Sequence, residues 1–104
     1  MGTQTLNEQD SGRIVGLSVG DMLTVRLNEN PTTGYRWSVD TAEGLEALPS
    51  RFEPGSAVGA AGMREFQFRA TRQGSFQVRL KNWRAWEGEA SVTGRFAVTV
   101  EAKP

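Results

Sequence analysis

The chain contains no cysteine and no histidine. Without cysteine there is no disulfide framework, no thiol nucleophile and no thiolate metal site. Without histidine the usual general base near neutral pH and the commonest metal ligand are both missing. Neither charge is in excess, since 12 Lys and Arg balance 12 Asp and Glu, so no global field draws the protein toward nucleic acid or an anionic membrane. No apolar run is long enough to span a bilayer, and no segment is patterned as a signal peptide. The expectation is a soluble protein, periplasmic or secreted if a signal peptide has been removed. At 104 residues the chain has room for one hydrophobic core. This composition is poorly equipped for catalysis and points to a binding protein that uses no metal and no cofactor.

What the sequence does have is period-two alternation, the mark of half-buried strands. Val15, Leu17 and Val19 alternate before Gly20-Asp21, and Leu23, Val25 and Leu27 alternate after it. Tyr35, Trp37 and Val39 follow a polar interruption. Phe66 and Phe68, then Phe76, Val78 and Leu80, then Val92, Phe96, Val98 and Val100 continue the pattern. A weaker strand is predicted over residues 51–57, with Pro54 confining it to a sheet edge or bulge. Only residues 41–48 could hold a helical turn, too short to organise the fold. The spacing predicts an all-β protein, an immunoglobulin-like antiparallel β-sandwich of about seven to eight strands. The cysteine pair of antibody domains is absent. Residues 1–12 are polar and read as a flexible leader, and residues 13–104 as a single domain.

If each strand runs antiparallel to the one before, the connections after the second, fourth and sixth strands share one pole. The opposite pole carries ordinary turns, Gly20-Asp21 and Thr71-Arg72-Gln73-Gly74. The shared pole is different. Its first loop, Asn30-Pro31-Thr32-Thr33-Gly34-Tyr35, combines a fixed φ, two stiff β-branched residues and a glycine, and so is built to hold one shape. The second, Val58-Gly59-Ala60-Ala61-Gly62-Met63, brings small residues and a backbone open to close approach. It has no lysine or strand-to-helix switch that would suit phosphate binding. The third, Trp83-Arg84-Ala85-Trp86-Glu87-Gly88, holds the residue types enriched in binding hot spots. Because Trp83 shares parity with Arg79 and Lys81, at least one of its two tryptophans should face solvent.

These loops resemble those of the chagasin-like inhibitors of papain-like cysteine peptidases. Asn30 to Tyr35 followed by Trp37 is similar to that family's first motif, Asn-Pro-Thr-Thr-Gly-aromatic. Arg84-Ala85-Trp86 is similar to its Arg-Pro-Trp, with alanine in place of proline. Gly59-Ala60-Ala61-Gly62 stands where the family carries Gly-X-Gly-Gly, with one glycine replaced. The similarity runs over roughly residues 13–101. It implies an immunoglobulin-like inhibitor, not an enzyme, that inserts the three loops as a wedge into a peptidase cleft and acts as a monomer. By the same resemblance, Thr32 and Thr33 lie over the target's catalytic cysteine. Trp86 packs near its catalytic histidine with Arg84 hydrogen-bonding beside it, and the second loop, Gly59 to Met63, touches the opposite wall through its backbone. Ala85 should loosen the third loop, and the lost glycine should narrow the second loop's choices.

Three other readings compete with this one. A sandwich module that binds carbohydrate or protein through its tryptophans explains the Trp pair but not the Pro-Thr-Thr-Gly loop. A glycosidase pair made of Glu87 and Glu89 would need two carboxylates set apart across a cleft, and these are two residues apart on one loop. Single-stranded nucleic acid could stack on the aromatics, with a local patch from Arg79, Lys81 and Arg84, but the balanced charge opposes it.

Overall fold

Alternating side chains can bury one face of a strand only if a second sheet covers it, and two sheets packed face to face result. The structure, a computed structural model, describes residues 2–55 and 61–104. Among these residues there is no α-helix, and nine strands form the framework: β1 (Thr3–Leu6), β2 (Ile14–Ser18), β3 (Met22–Glu29), β4 (Arg36–Thr41), β5 (Leu45–Ala47), β6 (Arg51–Glu53), β7 (Gly62–Ala70), β8 (Gly74–Trp83) and β9 (Gly94–Lys103). One sheet runs β1-β3-β7-β5, with β6 sharing the outer edge of β7, and the other runs β2-β9-β8-β4. Leu23, Val25 and Leu27 of β3 and Phe66, Phe68 and Ala70 of β7 meet Val78, Leu80, Phe96, Val98 and Val100 of β8 and β9, all buried in one core. Truncating a ring such as Phe68 or Phe96 to alanine in a core of this kind costs about 3–5 kcal/mol.

The sandwich is as expected, but five local readings are corrected. Thr3–Leu6 is not a frayed leader. It pairs parallel with β3, Leu6 opposite Val25, and Leu6 is buried in the core. Nor is the sandwich wholly antiparallel, because β2 also pairs parallel with β9. Residues 41–48 hold no helical turn; they carry the end of β4 and all of β5. The weak strand covers Arg51–Glu53 and pairs with β7, which suits the following Pro54 at an edge; residues 56 and 57 of the expected strand lie outside the described residues. The last strand begins at Gly94 and excludes Val92.

On the outer face of the first sheet, Arg26 lies 3.1 Å from Glu53 and 3.5 Å from Glu65, Arg51 lies 3.3 Å from Glu65, and Arg69 lies 3.4 Å from Glu46. Each such surface pair contributes little, but together they match β5 and β6 to β7 in charge as well as in register.

At the pole away from the three loops, Asp21 braces the corner where β1, β2 and β3 meet. Its carboxylate accepts from the Ser18 N–H at 2.9 Å and the Gly2 N–H at 2.8 Å. These backbone donors, Ser18 first, hold its pKa below the usual carboxylate value. A depressed folded-state pKa stabilises the fold above the unfolded value, about pH 4, and the gain is lost as pH falls through the folded value. Asp21→Asn should therefore lower the urea midpoint at pH 7, with the gap to wild type closing below about pH 4. A gap of equal size at pH 7 and in acid would mean that the carboxylate charge is not what braces the corner.

Candidate functional site

The first loop begins where β3 ends. Asn30, in extended conformation, caps a single 3-10 turn over Pro31–Thr33. Its Oδ1 accepts from the Thr32 N–H at 3.1 Å and from the Thr32 hydroxyl at 2.7 Å, the behaviour expected of an Asn before a turn. The Thr33 hydroxyl donates to the Asn30 carbonyl at 2.8 Å and accepts from the Tyr35 N–H at 3.3 Å. Both threonine hydroxyls are thus spent on the loop's own shape. Gly34 closes the turn at φ 79°, in the left-handed region that favours glycine. A Cβ there would also stand 2.9 Å from Cη2 of Trp86, so the indole of the third loop rests where only glycine leaves room.

The third loop folds as two consecutive 3-10 turns, Ala85–Glu87 and Glu89–Ser91. Buried Ser91 holds it closed: its Oγ accepts from the Arg84 N–H at 3.0 Å and lies 2.6 Å from the Gly88 carbonyl as donor. Trp86 is 73% exposed, as required of one of the two tryptophans. Trp83 is the half-buried one; Lys81 Nζ sits 3.8 Å from its ring centroid and its Nε1–H donates to the Ser38 hydroxyl at 3.2 Å. The far side of the loop is pinned to the sheet through Glu89, which pairs with Lys81 and with Arg95. The Lys81 ammonium, more than Arg95, lowers the Glu89 carboxyl pKa. Glu87 lies 3.4 Å from Arg84. Glu87 and Glu89 are thus partly exposed carboxylates engaged in ion pairs. Of the imagined basic patch, Lys81 and Arg84 are likewise occupied.

Arg84 joins the first and third loops. Its Nε and Nη2 donate to the Thr33 carbonyl at 3.2 and 2.9 Å, and its guanidinium stacks over the Tyr35 ring at 4.4 Å. A planar fork over an aromatic face is a contact that Arg makes and Lys does not. Within the chain, therefore, the guanidinium is held against the first loop. These ties hold the third loop beside Ala85, where the motif that it resembles carries proline. Arg84 at φ −101° and ψ 106° already has the extended backbone that precedes proline, and Ala85 opens a turn where proline fits. Ala85→Pro should therefore raise stability by about 0.4–1 kcal/mol through the unfolded state, measurable as a higher midpoint in thermal melts. A fall would mean that the backbone at 85 rejects proline.

Of the second loop, Gly59 and Ala60 lie outside the described residues. Ala61 is exposed and Met63 half-buried. Gly62 is buried and faces Glu29 across β3 and β7, and a Cβ there would run into the Glu53 carbonyl and the Phe52 ring. Gly62 therefore packs tightly against Phe52 and Glu53 of β6. The pairing of Gly62 with Glu29 and of Met63 with Asn28 brings this loop's return beside the start of the first.

Two residues that the sequence reading missed sit beneath both loops. Glu29 and Arg64 form a buried ion pair, Nη2 to Oε2 at 2.8 Å, and the other Glu29 oxygen accepts the Trp37 N–H at 2.8 Å. Their parity was the available signal, since Glu29 lies two positions beyond Leu27 and Arg64 two before Phe66.

Comparison with known proteins agrees with this geometry. The sequence pattern of the Chagasin family peptidase inhibitor I42 matches residues 16–100, a stretch that contains all three loops. Amoebiasin-1 of Entamoeba histolytica is 30% identical over 91 residues, covering 84% of this chain and 88% of its own. Chagasin of Trypanosoma cruzi is 26% identical over 100 residues, covering 88% and 91%. Among solved structures, the cysteine protease inhibitor EhICP2 from Entamoeba histolytica has a TM-score of 0.88 at 22% identity, covering 99% of this chain and 97% of its own. PbICP-C, solved in complex with falcipain-2, has a TM-score of 0.68 at 15% identity, covering 99% and 100%. At such identities the structural likeness speaks for the fold, while the pattern match speaks for descent: this chain belongs to the chagasin family of peptidase inhibitors.

Proposed function

We propose that this protein is a reversible, tight-binding, competitive inhibitor of papain-like cysteine peptidases, inserting its three-loop pole as a wedge into the active-site cleft. The observation that carries the reading is the Arg84 fork on the Thr33 carbonyl. It locks the first and third loops into one rigid edge with Trp86 projecting from it, so docking sacrifices little conformational entropy. PbICP-C, which shares the fold, has been solved in complex with falcipain-2. Thr32 and Thr33 block the cleft without offering a substrate-like extended strand, because their backbone is wound into the Pro31–Thr33 turn. Trp86 is the aromatic anchor, and Arg84 positions it. Gly59, Ala60, Ala61, Gly62 and Met63 contact the other wall of the cleft. A monomer suffices, and neither metal nor cofactor takes part. A carbohydrate platform built on two tryptophans is not favoured, since Trp83 lies under Lys81.

Titration against papain with a fluorogenic peptide tests this, with a serine peptidase and a metallopeptidase as controls. Stoichiometric loss of papain activity alone is expected. Absence of inhibition at about micromolar protein, where a standard-size interface should be largely formed, would sink the proposal.

A further inference from the structure

Among the described residues, Glu29 and Arg64 are the only oppositely charged pair with both partners buried. Burying two charges is a poor route to stability, because desolvation consumes most of the attraction and a well-packed apolar pair does as well or better. What an apolar pair lacks is direction. The Glu29 carboxylate receives Arg64 Nη2 at 2.8 Å and Nε at 3.2 Å on one oxygen and the Trp37 N–H at 2.8 Å on the other. Glu29 immediately precedes the first loop, Trp37 lies two residues beyond its Tyr35, and Arg64 lies two residues beyond Gly62 of the second loop. Trp37 adds a further tie, its indole N–H donating to the Asn28 carbonyl at 2.9 Å. Arg64 also stacks over Phe52 at 5.3 Å, the ring that fills the space beside Gly62. One carboxylate therefore fixes both ends of the first loop against the return of the second.

We propose that the buried Glu29–Arg64 pair is a positioning device that sets the spacing between the first and second loops, and with it the shape of the binding edge. This rests on the inhibitor reading above. A merely structural pair would be replaceable by anything that restores stability, whereas a positioning pair would not.

The deciding variant is the double replacement Glu29→Met, Arg64→Met in the full chain, read by thermal melting, by papain inhibition and by amide NMR shifts. It should melt at or near the wild-type temperature yet inhibit papain at least about tenfold more weakly, the typical order for lost preorganisation. Amides of residues 31–37 and 61–63 should shift, while those of Val78 and Val98 in the core stay in place. Inhibition within about threefold of wild type, or unchanged loop amides, overturns the proposal. If the wild type itself fails to inhibit papain, the inhibitor reading falls separately and the loop amides still decide this one. Should the double variant not fold, Arg64→Lys keeps the charge and removes the planar fork. Shifted amides in both loops then support positioning, and unshifted ones overturn it.

Discussion

Arg64→Ala should lower the unfolding free energy by about 3–5 kcal/mol, the usual penalty for removing one partner of a buried ion pair. The side chain is nearly inaccessible and its carboxylate partner more so. Without the guanidinium, Glu29 keeps only the Trp37 N–H and remains an uncompensated charge between the sheets. Domains of this size are stable by about 5–15 kcal/mol, so the loss is a large fraction of the total. At roughly 4 °C or more per kcal/mol, the melting temperature should fall by about 12 °C or more. Arg51→Ala is the matched control. Its pair with Glu65 leaves the Arg51 side chain 71% exposed, and its removal should change stability by no more than about 0.5 kcal/mol. Circular dichroism melts of the two variants side by side test the difference. Equal effects would mean that burial does not amplify the pair.

Trp86→Ala should do the reverse. With 73% of its surface exposed, the residue has little burial to lose, and the melting temperature should stay within about 2 °C of wild type, as for an ordinary surface substitution. Papain inhibition should weaken at least about tenfold, and about thirtyfold if the indole acts as a full hot spot worth 2 kcal/mol. The separation of the two readouts is the substance of the prediction. A steep fall in melting temperature would place Trp86 in the architecture through its contact with Gly34, and unchanged inhibition would move the anchor elsewhere.

Arg84 links these two results. It carries no burial comparable to that of Arg64, yet both arginines act through directional bonds to a loop: Arg84 on the Thr33 carbonyl and Arg64 on the carboxylate that precedes Asn30. The first loop is thus gripped from the third loop above and from β7 below. Rigidity at that edge comes from side chains outside the Asn-Pro-Thr-Thr-Gly segment as much as from the segment itself.

Local pattern alone determined a good deal. Alternation at Leu23, Val25 and Leu27 or at Phe66 and Phe68 identifies strands and their buried faces, because side chains two apart share a face whatever the partner is. Asn30, Pro31 and Gly34 specify their turn by φ restriction and by a cap that reaches only two residues. Such physics acts over a few residues and is legible in one dimension. The tertiary structure alone decided what depends on partners far along the chain. Thr3–Leu6 has too little apolar character to declare itself a strand and becomes one only against β3. Glu29 and Arg64 have the parity of inward positions, but only the pairing of β3 with β7 makes them partners. Arg84 stands out in the sequence by residue type, but the direction of its side chain does not, since the Thr33 carbonyl that it bonds lies 51 residues away. A hydrogen bond needs both partners in place, and only the folded chain puts them there.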